Sequence, residues 1–366
     1  MTSTNTKPSI APPTSGPSKS AHKKSSLQQK PRLGWGKLCL TMLIPFFLVT
    51  VMGLAYLGAF HQPAPHNLEV AIVGDTAATK VFAQSLKDEA GDSLSVRTIA
   101  TPDAARALVA AREVAAAFSM EKSSATLFIS SAASETNAGI TQKIFMPIAY
   151  AQHLPFQVED VVPTGEHDST GQGIFFLLVA LSIGGYAGSV PLSGFMGKVK
   201  LPTRFVMAAA SGAVVSTIAL VISGPIYGVL THSLADIWLI SWLYTTAITT
   251  IGMGLHPILR HWTTATLTLC FVALNFTSSG GIFMPEVQPG LFAALNAFWN
   301  GAAWLHAVQT LTYFPGQGIG LDILKLALWL IAGIALMILT HAWSDRKTRL
   351  ADEDAKISEV EQTIAA

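Results

Sequence analysis

Residues 275–315 read NFTSSGGIFMPEVQPGLFAALNAFWNGAAWLHAVQTLTYFP, which is too apolar for a water-exposed loop and too interrupted for one membrane helix. Irregular backbone survives at membrane depth only where protein or a water-filled cavity satisfies its polar groups. The stretch therefore predicts a re-entrant or interfacial hairpin over 279–315, with a short apolar helix at about 291–313, at the outer face of a helix bundle. The interruptions are Gly280, Gly281, Pro285, Pro289 and Gly290, with one charge at Glu286.

Composition places the whole chain in the membrane class. Its 366 residues are 50% hydrophobic and 12% charged, whereas soluble domains carry about 25% charged residues. Several apolar runs of about 20 residues are long enough to cross a bilayer, so lipid is the first expected partner. The formal net charge of +1 gives no reason to expect nucleic acid as a partner. Cys39 and Cys270 both lie in apolar runs and predict no disulfide framework.

Six transmembrane helices are predicted, and basic residues orient them. Lys and Arg cluster before the first span, between spans two and three, and after the last span. Because cytoplasmic loops are enriched in these residues, both termini are expected in the cytoplasm of a multi-pass plasma-membrane protein. The predicted spans are 38–60, 173–192, 205–230, 237–256, 263–278 and 321–343.

The two tails differ in pattern. Residues 1–33 are rich in Ser, Thr, Pro and Lys, which predicts a disordered basic cytoplasmic tail. The cytoplasmic C-terminal tail, 344–366, carries Leu350, Ile357 and Ile364 at seven-residue spacing. That spacing fits either a short coiled-coil seam or a frayed, solvated helix.

Residues 61–171 have the pattern of a small α/β domain outside the cytoplasm, between spans one and two. Thr101-Pro-Asp is a good helix start, with Thr101 as the N-cap and proline in the first turn. About 110 residues suffice for an independent core. Strands are predicted at 68–74, 94–100, 114–120 and 126–131, and helices at 77–90, 102–112 and 135–154.

Motifs for catalysis are missing from the sequence. There is no Walker-type G-x-x-x-x-G-K-[ST] run, and no H-E-x-x-H, G-x-S-x-G or C-x-x-C. No catalytic, cofactor-binding or metal-ligating residues are therefore assigned, and a non-enzymatic protein is expected. Two positions keep alternatives open: Glu286 either faces a substrate path or caps the helix that begins near Pro289. His306 either lines that path or anchors the membrane interface beside Trp299, Trp304 and Tyr313.

Small residues in the second span predict close helix packing. Gly184, Gly185 and Gly188 bring small side chains to one helix face, which lets a neighbouring helix approach. The neighbour is either another helix of the same chain or a second copy of the protein.

The order of these segments resembles the type-2 ABC exporter permeases, and among them the phage-infection-protein (YhgE/Pip) group. The run VEDVVPTGEHDSTGQGIFFLLVALSIGGYAG (158–188) resembles the start of that group's second span, with Asp168, Gly171, Gly184 and Gly185 at matching positions. SSGGIFMPEVQPGLFAALNAFWNGAAWLHAVQTLTYF (278–314) resembles its hairpin. REVAAAF (112–118) resembles the beginning of a strand in its outer domain.

This resemblance implies a permease subunit of an exporter. It would be a homodimer, with ATP hydrolysis supplied by a separate P-loop ATPase and with no cofactor of its own. The scarcity of charge within the spans favours an amphipathic or lipid-like substrate. The alternative is a non-transporting envelope scaffold or receptor whose outer domain binds a partner protein. The candidate substrate-path residues are Gly280, Gly281, Pro285, Glu286, Pro289 and His306, and the candidate ATPase-docking residues are Lys198, Lys200 and Arg204.

Overall fold

The computed structural model describes residues 35–195 and 199–365. The predicted disordered tail at 1–33 and the candidate docking residue Lys198 lie outside these ranges. The chain divides into two units at Leu43, and every contact described below lies within Ile44–Ala366.

The described chain is mostly helical, and five of its helices are long and apolar enough to cross a membrane. Length and composition alone define these candidates. The helices outside the α/β domain are α1 (Trp35–Phe60), α5 (Gly173–Ser193), α6 (Leu201–Val221), α7 (Leu234–Leu259), α8 (Thr263–Thr268), α9 (Leu274–Ser278), α10 (Gly290–Asn296), α11 (Asn300–Tyr313) and α12 (Gly320–Ala365). The five candidate spans are Met42–Phe60, Gly173–Ser193, Leu201–Ile226, Leu234–Ser278 and Gly320–Ile364.

The fourth candidate span folds back on itself. Arg260 has a positive φ of 49° and ends α7, and a 3-10 turn at Arg260–Trp262 leads into α8. A Cβ at Gly252 would lie 3.0 Å from Leu267, and eight residues earlier Tyr244 accepts a hydrogen bond from Asn275. Gly252 thus lies beside Leu267, whereas Tyr244, earlier in α7, contacts Asn275, later in the chain. This order of contacts shows that α7 and α8–α9 run antiparallel.

The α/β domain is a five-stranded sheet with helices on both faces. The order is β2-β1-β3-β4-β5, parallel except between β3 and β4. Alternate residues of each strand enter opposite cores. One core packs against α2 and α4, and the other against α3. The elements are β1 (Leu68–Val73), α2 (Ala77–Ala90), β2 (Leu94–Ile99), α3 (Pro102–Ala110), β3 (Ala116–Met120), β4 (Ala125–Ile129), α4 (Glu135–Ala151) and β5 (Phe156–Asp160).

Most of this domain agrees with the sequence pattern. The Thr101 side chain accepts a hydrogen bond from the Ala104 N–H, as the N-cap interpretation requires. Strand β5 was not predicted, because its outward-facing polar residues interrupt the apolar pattern. It pairs in parallel with β4 and forms the sheet edge.

The glycines of α5 pack within the chain. Gly184 and Gly188 lie against Val215 and Ser211 of α6, and Gly185 lies against α7. A Cβ at Gly184 would come within 2.5 Å of the Val215 side chain. In the structure, the neighbours of these glycines are therefore helices of the same chain.

Two helix boundaries differ from the sequence prediction. The apolar helix expected over 291–313 is broken into α10 and α11, because Trp299 takes an extended conformation just before α11. The last helix continues past Trp343 to Ala365, where a separate tail was expected to begin at 344. Charged residues replace apolar ones there, but no glycine or proline ends the helix.

Candidate functional site

The hairpin between α9 and α12 contacts the bundle at one end and the α/β domain at the other. Its inner end is held by Asn275 of α9, which is buried. The Asn275 amide donates to the Tyr244 hydroxyl at 2.7 Å and to the Phe271 carbonyl at 2.8 Å. Its carbonyl oxygen accepts from the Gly301 N–H at 3.1 Å. One side chain therefore links α7, α9 and the first turn of α11.

The start of α11 packs closely against Asn275. A Cβ at Gly301 would lie 2.1 Å from the Asn275 side-chain oxygen, so the contact requires glycine. Trp304 is fully buried and its indole N–H donates to Ser241 at 3.1 Å. Ser241 lies about two turns from the start of α7. The hairpin thus reaches well inside the bundle, and Trp304 is a core residue rather than the interfacial one expected.

The outer end of the hairpin is held by Arg112, in the turn that follows α3. Its guanidinium donates to Gln317 at 2.6 Å and to Thr310 at 2.6 Å. It also lies over the Phe314 ring, 4.3 Å from the centroid. The Gln317 amide donates back to the Ala110 carbonyl at 3.0 Å. Burial lowers the pKa of the Arg112 guanidinium, and the Asp322 carboxylate opposes that shift.

The first arm of the hairpin, residues 279–290, is called the descending arm here. Two further contacts join it to the α/β domain. The Thr136 hydroxyl donates to the Ile282 carbonyl at 2.6 Å. The His66 N–H donates to the Glu286 carbonyl, also at 2.6 Å. The domain therefore contacts both arms of the hairpin.

A cavity of about 460 Å³ lies where the domain meets the hairpin. The Asn137 side chain is buried, and its oxygen has no hydrogen-bond partner. One oxygen of Glu286 is likewise buried without a partner. The charged residues that line the cavity are Glu69, Arg97, Arg112, Glu113 and Glu286.

Three other hairpin side chains hold buried atoms without a partner among the residues that the structure describes. They are the Gln288 oxygen, both side-chain polar atoms of Asn300 and the Tyr313 hydroxyl. Gln288 does use its amide, which donates to the Thr277 carbonyl at 2.7 Å. Buried polar groups are nearly always hydrogen-bonded, so this concentration in one segment needs an explanation.

Most of the predicted path residues lie on the descending arm. Gly280 has a φ of 88°, which favours glycine, and a Cβ at Gly281 would lie 2.1 Å from the Phe175 ring. Pro285 begins a 3-10 turn, and Pro289 precedes α10. The structure brings Gly280, Gly281, Pro285, Glu286 and Pro289 together on this arm.

The structure shows no hydrogen bond from Glu286 to the start of α10. The N-terminus of α10 has no side-chain hydrogen bond at its cap, and Glu286 lines the cavity instead. His306 lies on the other arm, where its Nδ1 is 2.7 Å from the buried carboxylate of Asp322 in α12. It therefore contacts a charged partner rather than serving only as an interfacial anchor.

Sequence reasoning missed the residues that hold the hairpin. Asn275 could have been noticed as an amide within an apolar span, and Asp322 as a carboxylate at the start of another. Arg112 and Gln317 are 205 positions apart. Nothing in the sequence around either residue indicates that the two side chains are in contact.

The candidate ATPase-docking residues are only partly accessible. Lys200 is exposed just before α6, whereas Arg204 is buried and its Nε donates to the Val199 carbonyl at 3.3 Å. A cavity of about 660 Å³ lies beside them, between the ends of α5, α6 and α7 and the middle of α12. Of the three predicted docking residues, Lys200 is the one that the structure describes as exposed.

These features define a class: a membrane-embedded helical protein whose α/β domain contacts a hairpin of its own bundle. Comparison with protein-family models, curated proteins and solved structures gives no match. The resemblance to exporter permeases therefore stays a prediction. Within 35–195 and 199–365, no group of three or more His, Cys, Asp or Glu residues could hold a metal ion.

Proposed function

We propose that this protein is a permease-like subunit of an exporter and that residues 279–315 gate the outer end of its substrate path. The observation that carries the proposal is the set of buried polar atoms without partners at Glu286, Gln288 and Asn300. Each such group costs about 1–3 kcal/mol when it is left unpaired. A state in which the hairpin opens to water or substrate would satisfy them.

The topology that goes with this proposal has six crossings. The antiparallel arms of Leu234–Ser278 would be two of them, separated by the reversal at Arg260. Both termini would then lie in the cytoplasm of the plasma membrane, with the α/β domain outside. Basic residues at Lys200 and Arg260 support this orientation, since they fall on the inner side.

An amphipathic or lipid-like substrate is supported by a groove of about 480 Å³ on the side of the bundle. Its walls are almost entirely apolar, but Thr246 contributes a buried hydroxyl without a partner. An acyl chain with a hydrogen-bonding group would match that combination. The residues that line the groove include Phe205, Val206, Leu239, Trp242 and Leu330.

Energy for export would come from a separate P-loop ATPase, because the sequence has no Walker motif of its own. The ATPase would dock at the region that contains exposed Lys200 and the neighbouring cytoplasmic cavity. As in related permeases, two copies of the chain would enclose the path.

The second candidate is an envelope scaffold or receptor whose outer domain binds a partner protein. The cavity beside Asn137 favours it, because the unpartnered oxygen and the charged walls offer hydrogen bonds to a ligand from outside.

The test of the gate is labelling of Gln288→Cys, a buried position two residues from Glu286, by a membrane-impermeant maleimide, in a background where Cys39 and Cys270 are serine. Opening predicts labelling that rises at least several-fold when the cells are energised. Thr250→Cys, buried in α7, is the matched control and should stay unlabelled. Equal labelling of the two cysteines under all conditions would exclude the gate.

A pull-down of the tagged protein separates the two functions. Stoichiometric recovery of a P-loop ATPase, lost in Lys200→Glu but kept in Lys143→Glu of the outer domain, supports the exporter. Recovery of an envelope protein without any ATPase supports the scaffold.

A further inference from the structure

The last helix is much longer than a membrane requires. At 46 residues and 1.5 Å per residue, α12 is about 69 Å long, compared with about 30 Å of hydrocarbon in a bilayer. Its C-terminal part after Trp343 is rich in charged residues. Four large apolar side chains there are nevertheless exposed to solvent: Leu350, Ile357, Val360 and Ile364.

These four residues follow a heptad pattern. If Leu350 takes position a, Ile357 and Ile364 also fall at a, and Val360 falls at d. Leucine and β-branched residues at a are compatible with a parallel two-stranded coiled coil. The apolar stripe has no partner among the described residues of the chain, since all four side chains are more than half exposed.

The flanking charges are complementary to those of an identical helix. Arg349 and Lys356 occupy g positions, and Asp354 and Glu361 occupy e positions. In a parallel coiled coil each g residue faces the e residue five positions further along the other helix. Arg349 would therefore meet the partner's Asp354, and Lys356 would meet the partner's Glu361. Both pairs are of opposite charge.

Insertion in the membrane fixes the direction of pairing. Two copies inserted with the same orientation present their α12 helices in parallel, which is the arrangement that the charges favour. Three a positions make a marginal coiled coil in free solution. Anchoring both helices in one membrane raises their effective concentration and compensates for the short length.

We propose that residues 346–364 of two copies pair as a short parallel coiled coil on the membrane face where α12 ends. The pairing is weak by composition, because Arg346 and Glu353, both at d, each oppose their own copy in the partner. A weak seam is suited to repeated separation and reassembly.

Cysteine cross-linking of the full-length protein in native membranes tests this pairing, with Cys39 and Cys270 replaced by serine. Ile357→Cys at a should form a disulfide-linked dimer on mild oxidation. Ala355→Cys at f, on the opposite face of the same helix, is the control and should cross-link several-fold less. Equal cross-linking at the two positions would overturn the proposal.

Charge reversal distinguishes a specific seam from tails that meet only because the bundles dimerise. In the Ile357→Cys background, Lys356→Glu or Glu361→Lys alone should lower cross-linking about threefold, since exposed ion pairs contribute modestly. Co-expression of the two variants under different tags should restore cross-linking between them. Glu353→Leu should increase cross-linking. Insensitivity to all of these changes would overturn the pairing and indicate that the stripe contacts lipid or another protein.

Discussion

The two ends of the hairpin are held by different kinds of contact. At the inner end, Asn275 makes buried, neutral hydrogen bonds to Tyr244 and Gly301, and no atom there carries a formal charge. At the outer end, the Arg112 guanidinium binds Gln317 and stacks on Phe314, next to a cavity. Water does not reach a buried neutral network, so it cannot replace the hydrogen bonds of that network. A contact beside an open cavity lined by charged side chains is accessible to water, which can replace its hydrogen bonds, so the outer end is the one suited to open.

The largest effect should come from Asn275→Leu, which keeps the branched shape and the number of side-chain heavy atoms but removes every hydrogen bond of the side chain. The Gly301 N–H is then left buried and unpaired, and we expect a loss of about 2–4 kcal/mol in the free energy of unfolding. Thermal unfolding in detergent measures it. Thr277→Val is the matched control, because that buried hydroxyl bonds only within its own helical segment. A control that destabilises equally would show that the network does not hold the inner end.

Gly301→Ala should have the next largest effect. The added methyl group would meet the Asn275 oxygen at 2.1 Å, so the asparagine must move and its contact with α11 is broken. Overpacking of this kind costs about 1–3 kcal/mol. Gly318→Ala, where nothing lies within 4 Å of the new methyl group, is the control in the same unfolding measurement. Unchanged stability in Gly301→Ala would mean that the contact is looser than described.

Arg112→Gln should release the outer end without unfolding the protein. The loss of its charged hydrogen bonds to Gln317 and Thr310 corresponds to about 1–2 kcal/mol, and it should appear as local opening. Hydrogen exchange of the amides of 282–289 and 308–317 should accelerate, whereas the amides of 274–278 and 300–302, next to the Asn275 network, should not change. Arg97→Gln removes an equal charge that bonds Glu113 inside the domain, and it should leave the hairpin amides protected. Faster exchange at both ends of the hairpin would contradict the difference between them.

The smallest effect concerns an ion pair away from the hairpin, between Arg106 and Glu159. The arginine lowers the pKa of the Glu159 carboxyl, so the pair stabilises the folded domain above the unfolded pKa. That contribution is lost as the pH falls through the lowered, folded pKa. Protection of the β5 amides should decline over the acid range in wild type more than in Glu159→Gln. Parallel pH profiles would show that this half-exposed pair adds nothing.

The sequence predicted features that depend on local composition. Apolar runs indicated a membrane-embedded helical protein, for which the structure gives five candidate spans. The change in charge and periodicity indicated the α/β domain, and the glycines and prolines of 280–290 indicated the irregular stretch before α10. Thr101 was identified as a cap because its hydrogen bond closes within one turn. Each of these follows from residues close together in the chain.

Contacts between distant residues could not be predicted in the same way. Arg112 and Gln317 meet only because the domain returns to the top of the bundle, and their own neighbours give no sign of it. The sequence left two roles open for Glu286 for the same reason: a helix start near Pro289 is visible in the sequence, but the cavity that Glu286 lines is not. At the break before α11, the Gly301 N–H donates a hydrogen bond to the Asn275 side chain, which is again a tertiary contact.

One continuous helix connects the hairpin to the charged C-terminal segment of this molecule. Near its start, the Asp322 carboxylate of α12 contacts His306 of the hairpin, and its far end is the charged segment that ends at Ala365. A helix without a break is torsionally stiff, so a turn about its axis at Asp322 would change the direction in which Leu350 and Ile357 face. A movement of the hairpin can therefore reach the far end of α12 through this one element, with no chain of intermediate contacts.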